Sequence, residues 1–494
     1  MHLQSKRTMK KNIKIIGSGF SALSASCYLA KKGHKVTVYE KNATIGGRAR
    51  QLKKEGFTFD MGPSWYWMPD VFERFFADFG KKPSDYYELI KLSPAYRVYY
   101  GINDFITIAD NLPEIVETFE KIEKGSGAIL QEFMDEAKSN YDIAIKNLVY
   151  RPGVSPLEII TPQTALKVGQ FFSTISKDIR KKFKNERLIQ ILEFPVLFLG
   201  AKASATPSFY SFMNFADFGL GTWHPKTGMH DVVAAMEKLS LELGVNYQFN
   251  ANVEKIIVEN KKTTGLVVNG KTIKADIIVS GADYHYTESL LDEKYRMYSD
   301  KYWEGRVFAP SSLLFYVGFN KKIENISHHA LFFDVDFEQH AAAIYDRPRW
   351  PREPLFYANF PSITDETAAP KGMESGFFLI PLAPGIIDTE ELRSVYFDKI
   401  IDRFEKLTQQ KVKNNIIFKE SFCKNDFVKE YNSYKGNAYG MANTLLQTAF
   451  LRPKLKSKKV TNLYFTGQLT VPGPGVPPAL ISGKLVSELI EKNS

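Results

Sequence analysis

One segment near the start of the chain limits its fold more than any other. Residues 13–16 (IKII) form an apolar run that predicts a buried strand, and the spacing GxGxxA follows at residues 17–22. This spacing opens a predicted helix over residues 20–32, which Gly33 ends. Residues 34–40 (HKVTVYE) predict a second strand that finishes in an acidic residue. This order of strand, glycine turn, helix, strand and acid is the fingerprint of a dinucleotide-binding βαβ unit.

The residues of this fingerprint have distinct physical roles. Gly17 permits a tight turn, and Gly19 lets the backbone approach a pyrophosphate without a Cβ in the way. Ala22 takes the place of a third glycine, where a methyl group still permits close packing of helix on strand. The start of the helix offers unpaired N–H groups and a partial positive charge to the pyrophosphate. We expect Glu40 to accept hydrogen bonds from the adenosine ribose.

A second glycine-rich element distinguishes FAD from NAD. The sequence GGRAR at residues 46–50 follows the acid by a short loop. It resembles the two-glycine-and-arginine element of the large flavoprotein group that includes amine oxidases and carotenoid desaturases. Its glycines let the chain pass close to the diphosphate, and Arg48 can supply a charge-assisted hydrogen bond worth roughly 1.5–3 kcal/mol. We therefore predict FAD as the cofactor.

The size and composition of the chain indicate two globular domains. Its 494 residues, 44% hydrophobic and 24% charged, are too many for one ordinary core. Aromatic residues are dense in the middle third, which suits a domain that binds something long and apolar. We predict an FAD-binding domain built from three segments and a second domain built from two, namely residues 1–90, 221–304 and 436–494 for the first, and 91–220 and 305–435 for the second.

Several classes of partner are not expected. The histidines at positions 328, 329 and 340 lack metal-ligand spacing and carboxylate company, so we predict no metal site. The basic residues are scattered and no reader motif is present, so we predict no nucleic-acid partner. Residues 1–11 have no apolar core of signal-peptide type, and no stretch approaches the ~20 apolar residues of a spanning helix. The two cysteines, Cys27 and Cys423, fit a reducing cytoplasm.

A second strand-to-helix corner lies near the C-terminus. Residues 463–466 predict an apolar strand that ends at Gly467, and a loop rich in glycine and proline leads to a helix from about Pro478. Prolines stiffen such a loop, and glycines let its backbone touch a ring. We expect this corner to meet the ribityl and isoalloxazine end of the flavin.

This segment belongs to a set of motifs that runs through the whole chain. Together with residues 61–70 (MGPSWYWMPD), 150–158 (YRPGVSPLE) and 279–291 (VSGADYHYTESLL), it resembles the bacterial CrtI-type carotenoid desaturases, above all the phytoene desaturases. Gln468 after Gly467 agrees with the desaturases and argues against the amine-oxidase branch. Two positions depart from the usual pattern: Ala22 replaces a glycine, and Gly281 stands where many relatives have asparagine.

The motifs and the resemblance together imply an α/β fold. It comprises a Rossmann-like FAD-binding domain of glutathione-reductase/amine-oxidase type and a second α+β domain that binds the substrate and the membrane. The predicted FAD contacts are Gly17, Gly19, Phe20, Ala22, Glu40, Lys41, Gly46, Gly47, Arg48, Gly62, Pro63, Ser64, Val253, Gly281, Gly467, Gln468, Gly475 and Val476.

The resemblance implies desaturation of a C40 isoprenoid hydrocarbon, phytoene toward lycopene, with hydride transfer to flavin and loss of a proton. On the order of 40 carbons at ~0.8 kcal/mol each gives roughly 30 kcal/mol against passage of such a substrate through water. We therefore expect a cytoplasmic protein that lies peripherally on the inner face of the cell membrane and takes a long apolar polyene from it. The net charge of +10 can assist, although simple solvation explains any one lysine cluster. Quinone or oxygen is the expected final electron acceptor.

The candidate catalytic residues are Arg151 and Asp60, with Glu158 as a further carboxylate. An arginine does not easily lose its proton, so Arg151 would orient the flavin or a carboxylate rather than act as a base. Two alternatives stay open: Arg151 is a helix-end cation beside Pro152, or the flavin accepts both hydrogens and no protein base exists.

Three other functions are compatible with parts of the pattern. A related carotenoid enzyme, such as a hydroxycarotenoid 3,4-desaturase or an isomerase, would share almost every motif. An amine oxidase would share the FAD-binding elements. A non-redox prenyl-binding escort protein would share the two-domain architecture but would not need the intact pyrophosphate cradle of Gly17, Gly19 and Arg48.

Overall fold

The computed structural model of the protein describes residues 10–493, without the side chains of Ile159 and Phe198. The first nine residues, on which the expected lack of a signal peptide partly rests, lie outside the described residues. Within the described range, one parallel and one mixed sheet organise most of the chain.

The parallel sheet contains the predicted dinucleotide-binding unit. Its five strands, from one edge to the other, are Leu463–Phe465, Ile277–Ser280, Asn12–Ile16, Lys35–Tyr39 and Asn246–Gln248. In the middle strand, Ile15 pairs with Val38 on one side and Val279 on the other, all in parallel register. These three residues are fully buried, as expected for parallel strands. The strands predicted at both corners are confirmed to within one residue at each end.

The first helix, Phe20–Lys31, is central to the packing of this half. On one side it lies against the last helix, Val476–Asn493, and on another against His230–Glu242. Cys27 is fully buried and its Sγ lies 3.8 Å from the backbone oxygen of Met236, so it packs as a small core residue. The helix therefore joins segments that are more than two hundred residues apart in sequence.

A three-stranded antiparallel sheet is inserted before the strand Ile277–Ser280. Its strands are Val253–Glu259, Lys262–Val268 and Lys271–Lys274. Asn269 and Gly270 both have positive φ, at 46° and 74°, which is the backbone form of a tight hairpin turn with the Asn-Gly sequence. This turn joins the second and third strands of the inserted sheet.

The second sheet is mixed and has seven strands. In spatial order they are Ile416–Phe422, Ser311–Phe319, Glu374–Leu382, Phe356–Asn359, His329–Phe332, Tyr96–Gly101 and Asp104–Ile108. Only the pair formed by His329–Phe332 and Tyr96–Gly101 is parallel; the other neighbours are antiparallel. The helix Glu390–Thr408 packs on one face, and its Phe404 joins a core of sheet aromatics.

The helical stretch from Leu112 to Leu148 is interrupted at Gly125. Gly125 has a φ of 88°, a conformation that ends a helix, and the Glu120 carboxylate accepts hydrogen bonds from its N–H and from the N–H of Gly127. Two helices result, Leu112–Ile122 and Ser126–Ile143, and the second ends in a π-helical turn. The apolar period continues across the break, which is why the sequence pattern alone does not reveal it.

Shorter elements complete the described chain. Two small ribbons pair Gln51–Lys54 with Phe57–Asp60 and Leu89–Lys91 with Trp223–Pro225. The remaining α-helices are Pro69–Ala77, Pro162–Leu166, Val168–Phe172, Ile175–Lys182, Glu186–Glu193, Phe212–Asn214, Tyr284–Ser289, Asp300–Glu304, Phe337–Tyr345 and Lys424–Tyr431. Among residues 10–493, no helix combines the length and apolar character needed to span a bilayer.

Candidate active site

A single large cavity of about 990 Å³ lies between the two sheets. The glycine-rich turns of the parallel sheet form one end, and apolar side chains of the second half form the other. Almost every residue predicted to contact the cofactor lines it: Gly17, Gly19, Phe20, Glu40, Lys41, Gly46, Gly47, Arg48, Gly62, Pro63, Ser64, Val253, Gly281, Gly467, Gln468, Gly475 and Val476.

The first corner, residues 17–22, presents bare backbone to this cavity. Gly17 turns at a φ of 86° and donates its N–H to the backbone oxygen of Tyr39 at 2.8 Å. Apart from its chain neighbours, no atom of the described residues lies within 4 Å of the position that a Cβ at Gly19 would take. Within residues 10–493, no side chain caps the helix that begins at Phe20, so its first N–H groups are available to an anion. A Cβ at residue 19 would occupy this cradle.

Glu40 stands at the end of the second strand, at the adenosine side of the predicted cofactor position. It is buried, and its Oε2 accepts hydrogen bonds from the backbone N–H and the hydroxyl of Ser18, at 3.0 and 2.7 Å. Its Oε1 accepts the N–H of Asn42 at 2.9 Å. The carboxyl group is therefore held in one orientation on the cavity wall, where a ribose hydroxyl can donate to it.

Arg48 carries an unused hydrogen-bond donor at the cavity. Its Nη2 donates to the backbone oxygen of Asn437 at 3.3 Å, and its guanidinium lies 5.2 Å from the ring centre of Tyr431. Its buried Nε has no hydrogen-bond partner among the described residues. Burial lowers the pKa of Arg48, and the nearby Asp283 opposes that shift. A buried guanidinium with a free donor fits the negative charge of a diphosphate.

Ala22 does not line the cavity, unlike the other predicted cofactor residues. It is fully buried behind the first corner, where a Cβ at Gly281 would lie 2.8 Å from its own Cβ. The methyl group of Ala22 thus occupies the space that a side chain at 281 would need. The two departures from the usual pattern compensate for each other, and Ala22 acts through packing rather than contact with the cofactor.

The second corner, residues 466–477, meets the first. Gly467 has a φ of 113°, and a Cβ there would lie 3.1 Å from the hydroxyl oxygen of Ser21. The backbone N–H of Gly467 donates to the Ser482 hydroxyl at 3.0 Å, so the last helix holds the turn in place. Two strand-to-helix corners from opposite ends of the chain therefore face one cavity. The uncapped N–H groups of the first corner and the glycine backbone of both corners, together with the unpartnered Nε of Arg48, fit FAD.

Beyond the glycine-rich end, the cavity wall is apolar and reaches the protein surface. Its lining there includes Ile145, Phe171, Phe194, Phe209, Leu331 and Phe333. Residues 154–172 carry a group of exposed apolar side chains, three of which also line the cavity. We call this group the apolar rim, and it comprises Val154, Leu157, Ile160, Leu166, Val168 and Phe172. Leu166 is 87% exposed and Phe172 is 79% exposed, and Phe172 also lines the cavity.

Comparison with known proteins agrees with this geometry. The family model described as flavin containing amine oxidoreductase matches residues 20–490, which is nearly the whole chain. The protein belongs to this family. A solved structure of an oxidoreductase from Methanosarcina mazei superposes with a TM-score of 0.61 at 17% identity, over 97% of this chain and 99% of that chain, which shows the fold. The predicted α/β fold and the predicted FAD cofactor are confirmed.

Three relatives of this flavoprotein indicate the group within the family to which it belongs. It is 39% identical to a carotenoid 3,4-desaturase from Haloarcula japonica over 97% of this chain and 98% of the relative. It is 31% identical to a 4,4'-diapophytoene desaturase from Staphylococcus haemolyticus, over 96% and 98%, and 30% identical to a zeta-carotene-forming phytoene desaturase from Myxococcus xanthus, over 98% and 94%. The flavoprotein is a member of the CrtI-type carotenoid desaturases, as its motifs predict.

Of the predicted catalytic residues, Arg151 lies at the cavity of the desaturase. It is half-buried and donates from Nη1 to the backbone oxygen of Glu158. The Glu158 carboxylate accepts the N–H groups of Gly153 and Val154 at 2.8 and 3.1 Å. These bonds shape the loop that follows the π-helical turn.

Asp60 does not reach the cavity of the desaturase. Its carboxylate accepts the N–H groups of Met229 and His230, at 2.6 and 3.0 Å, and so caps the start of the helix His230–Glu242. Burial raises the pKa of Asp60 to about 7, against the opposing effect of these two hydrogen bonds. The structure gives Asp60 a position outside the active site, because the strand Phe57–Asp60 ends beneath that helix rather than beside the flavin cradle.

The aromatic loop after Pro63 divides its side chains between two sides. Trp65 and Trp67 line the cavity, while Tyr66 is buried on the opposite side against Phe72, with ring centres 4.2 Å apart. The alternation agrees with the expectation that three consecutive aromatics cannot face one way. The ring of Trp65 stacks on His329 with centres 4.0 Å apart.

Sequence reasoning missed the residues beneath this loop. Tyr357 lines the cavity, and its hydroxyl lies 2.9 Å from the Ser64 hydroxyl and 2.7 Å from His329 Nδ1. From the sequence, the pair His328-His329 is assessed only as a possible metal site, and the described residues contain no group able to hold a metal ion. Two adjacent histidines on an otherwise apolar strand are the only sequence feature that indicates a polar group at this place.

Proposed function

We propose that this desaturase introduces carbon–carbon double bonds into a long C40-class polyene held in the apolar part of the cavity. The observation that carries the proposal is continuity: the flavin cradle and the apolar chamber belong to one cavity that opens at the apolar rim. A substrate without polar groups is positioned by shape and by apolar contact, and the aromatic lining provides both.

The residues of the chain prepare the reaction rather than perform each step. FAD, when bound, supplies the acceptor for a hydride. Residues such as Phe194, Phe209 and Phe333 exclude water and hold the chain of the substrate straight against the cradle. Arg151, at the junction of the two parts, orients groups by charge and does not act as a base.

The reaction best supported is desaturation of the 3,4 bond of an already conjugated carotenoid. The relative of that name shares 39% of its residues with this chain, against 30% for the phytoene desaturase. In addition, the cavity wall includes the neighbouring hydroxyl-bearing side chains of Ser312 and Tyr439. A hydrocarbon cannot use these groups, whereas a hydroxycarotenoid can. Desaturation of phytoene toward lycopene is the second candidate, because the family motifs are equally compatible with it.

Pigment analysis separates these candidates. The full chain is expressed in bacterial strains that accumulate phytoene, lycopene or a hydroxylated lycopene derivative, and pigments are identified by chromatography and absorbance. The proposal predicts a product with one additional double bond at the end of the polyene and no loss of phytoene. Consumption of phytoene would support the second candidate instead. A Gly47→Val variant, which blocks the flavin cradle, serves as the inactive control.

We further propose that the desaturase binds the membrane surface through the apolar rim. Three rim residues line the cavity, and the rim is followed in sequence by a basic helix. Lys167 lies within the rim segment, and Lys177, Lys181 and Lys182 lie on the next helix, with Glu136 and Asp178 as partners of three of these lysines. Each cation near anionic lipid contributes about 1 kcal/mol. A protein on the inner face of the cell membrane can take its substrate directly from the bilayer, and quinone there, or dissolved oxygen, can accept the electrons.

Two other functions make different predictions. An amine oxidase would release peroxide when supplied with amines. A non-redox escort protein would bind prenylated protein without any change in the flavin absorbance. Anaerobic bleaching of the flavin by a carotenoid in lipid vesicles, with no response to amines, is the result that the proposed function requires.

A further inference from the structure

Three buried histidines lie together behind the cavity wall, and neither the cofactor site nor the apolar chamber uses them. His224, His328 and His329 are each at most 4% exposed. The ring centres of His224 and His328 are 4.4 Å apart, and those of His328 and His329 are 4.6 Å apart. Both ring nitrogens of His224 and the Nε2 atoms of the other two have no hydrogen-bond partner among the described residues. Buried polar atoms that lack a hydrogen-bond partner call for an explanation.

One end of this cluster reaches the active site through direct hydrogen bonds. Ser64 and Tyr357 line the cavity; their hydroxyl oxygens are 2.9 Å apart, and the Tyr357 oxygen is 2.7 Å from His329 Nδ1. The other end reaches the opposite side of the sheet, where His328 Nδ1 lies 2.9 Å from the hydroxyl of the half-buried Thr364. The neighbouring Ile363 is 43% exposed, so this turn meets solvent.

The direction of the hydrogen bonds follows from Asn359. Its Nδ2 lies 3.1 Å from the backbone oxygen of His328, which can only accept, and this contact fixes the orientation of the amide. The same Nδ2 lies 3.2 Å from His329 Nδ1, which must therefore also accept. His329 then carries its proton on Nε2, Tyr357 donates to Nδ1, and Ser64 donates to Tyr357. Every hydrogen in this chain points away from the cavity.

We propose that Ser64, Tyr357 and His329 form a relay that carries the proton lost by the substrate out of the cavity, through His328, to Thr364 at the surface. The inference rests on the proposed desaturase function. It assigns the route of the proton, for which the sequence suggests Arg151, Asp60 or Glu158, or no protein base at all.

The relay conserves atoms and electrons. Of the two hydrogens removed, one leaves its carbon as a hydride, for which FAD is the acceptor. The adjacent carbon loses a proton to the free lone pair of Ser64, and the electron pair of that C–H bond becomes the second bond of the new double bond. Ser64 passes its original proton to Tyr357, Tyr357 passes its own to His329 Nδ1, and the Nε2 proton of His329 moves on. Each hydroxyl ends neutral, and one proton reaches solvent.

The step between the two histidines is the one link without a direct hydrogen bond. The unpartnered Nε2 atoms of both rings, at a centre distance of 4.6 Å, are the groups that a bridging water or a small ring rotation can join. Burial lowers the pKa of His328 and of His329 well below the usual histidine value, and lowers that of His224 to about 4. A lowered pKa disfavours a charged histidine, so the cluster passes a proton on and does not retain it.

The test compares Tyr357→Phe and Thr364→Val with matched controls. Tyr396→Phe removes another buried hydroxyl, bonded to the backbone oxygen of Pro351, and Thr367→Val removes a hydroxyl from the same turn as Thr364. FAD-loaded protein is mixed anaerobically with lipid vesicles that contain the carotenoid identified as substrate. Flavin bleaching and proton release, followed with a pH indicator, are recorded in light and heavy water.

We expect Tyr357→Phe to slow flavin bleaching about tenfold to a hundredfold and to increase its solvent isotope effect, because proton transfer becomes the slow step. Thr364→Val should delay the appearance of the proton in solvent, and both variants should bind FAD as the wild type does. The two controls should match the wild type. Equal bleaching rates and isotope effects in Tyr357→Phe and wild type would overturn the relay alone. A wild type that no carotenoid bleaches would overturn the desaturase function and the relay with it.

A measurement without substrate gives an independent check. The nitrogen chemical shifts of isotope-labelled histidines in the FAD-free protein report the tautomer of each ring. The relay requires His329 with its proton on Nε2 and a changed Nδ1 signal in Tyr357→Phe. A proton on Nδ1 would reverse the direction of the chain and contradict the proposal, whereas a purely structural role of the cluster does not predict either tautomer.

Discussion

The hydroxyl of Ser24 donates a hydrogen bond of 2.6 Å to the backbone oxygen of Leu480, although 456 residues separate them. This bond joins the first helix to the last and holds the two corners of the flavin cradle in register. Close to it, a Cβ at Gly483 would lie 2.5 Å from the backbone oxygen of Ser21. The cradle thus depends on intimate contact between two helices as well as on glycines in its turns.

Gly19→Ala should lower the affinity for FAD without affecting the fold. The φ and ψ of Gly19, −73° and 172°, suit any residue, and no protein atom lies near the added methyl group, which instead enters the cradle. We expect at least a tenfold rise in the dissociation constant, about 1.4 kcal/mol, by fluorescence titration. Thermal unfolding of the FAD-free variant should match the wild type. Gly483→Ala should show the reverse, a less stable protein, and unchanged FAD affinity in Gly19→Ala would contradict the assignment of the cradle.

Arg48 and Arg50 form a matched pair, because both guanidinium groups lie over the ring of Tyr431, at 5.2 and 5.3 Å. The Nε of each arginine is buried without a hydrogen-bond partner among the described residues, but only Arg48 lines the cavity, whereas Arg50 pairs with Glu430 at 3.1 Å. Arg48→Met should cost about 1.5–3 kcal/mol of FAD binding, since it removes a charged hydrogen bond. Arg50→Met should change FAD affinity little. Equal effects in both titrations would show that the charge acts only at long range.

Ala22 and Gly281 should be energetically coupled. Gly281→Asn alone places a Cβ 2.8 Å from the Cβ of Ala22, and overpacking of this kind costs about 1–3 kcal/mol. Ala22→Gly alone should cost about 1 kcal/mol through helix propensity. The double variant should be more stable than the sum of the two losses predicts, by at least about 1 kcal/mol in denaturant unfolding. Additive losses would mean that the two positions do not share space.

The apolar rim should decide binding to lipid vesicles. Phe172 is 79% exposed at the cavity mouth, and Ile387, which is 75% exposed, lies in the second half of the chain away from the cavity lining. Phe172→Asp should reduce flotation with anionic vesicles several-fold, because it places a charge where apolar surface meets lipid. Ile387→Asp should float as the wild type does. If both variants float equally well, another surface contacts the membrane.

Stability should depend on pH through Asp217. This carboxyl is buried, accepts the Tyr96 hydroxyl at 2.7 Å, and burial raises its pKa to about 7. Between about pH 4 and about pH 7 the native state holds a proton that the unfolded chain has lost, so the free energy of unfolding falls as the pH rises. Asp217→Asn has no such proton. The wild type should therefore lose up to roughly 4 kcal/mol relative to Asp217→Asn over this window in urea unfolding, and parallel pH profiles would refute the shift.

The two strand-to-helix corners, which lie near opposite ends of the chain, could be predicted from the sequence for a physical reason. A buried parallel strand, a glycine turn and a helix at fixed spacing are local features. The role of each residue in them depends on its neighbours in sequence. The sequence therefore predicts both corners and the flavin, whereas the residues expected to contact the flavin, almost all of which line the cavity, stay predictions. Ala22 is predicted both to permit close packing and to contact the cofactor, but in the structure it lies behind the cavity wall against Gly281, a packing partner that the local spacing does not reveal.

Only the tertiary structure decided which distant groups share one site. The packing places Asp60 at the start of the helix His230–Glu242, away from the cavity, where its carboxylate accepts hydrogen bonds from two backbone N–H groups. It brought Ser64, Tyr357 and His329 into one hydrogen-bonded chain across more than two hundred residues of sequence. Periodicity and spacing report the burial of a residue but not the partner it meets, because the partner is set by how sheets and helices pack. The sequence by itself determined the flavin and its cradle; the packing decided what surrounds them.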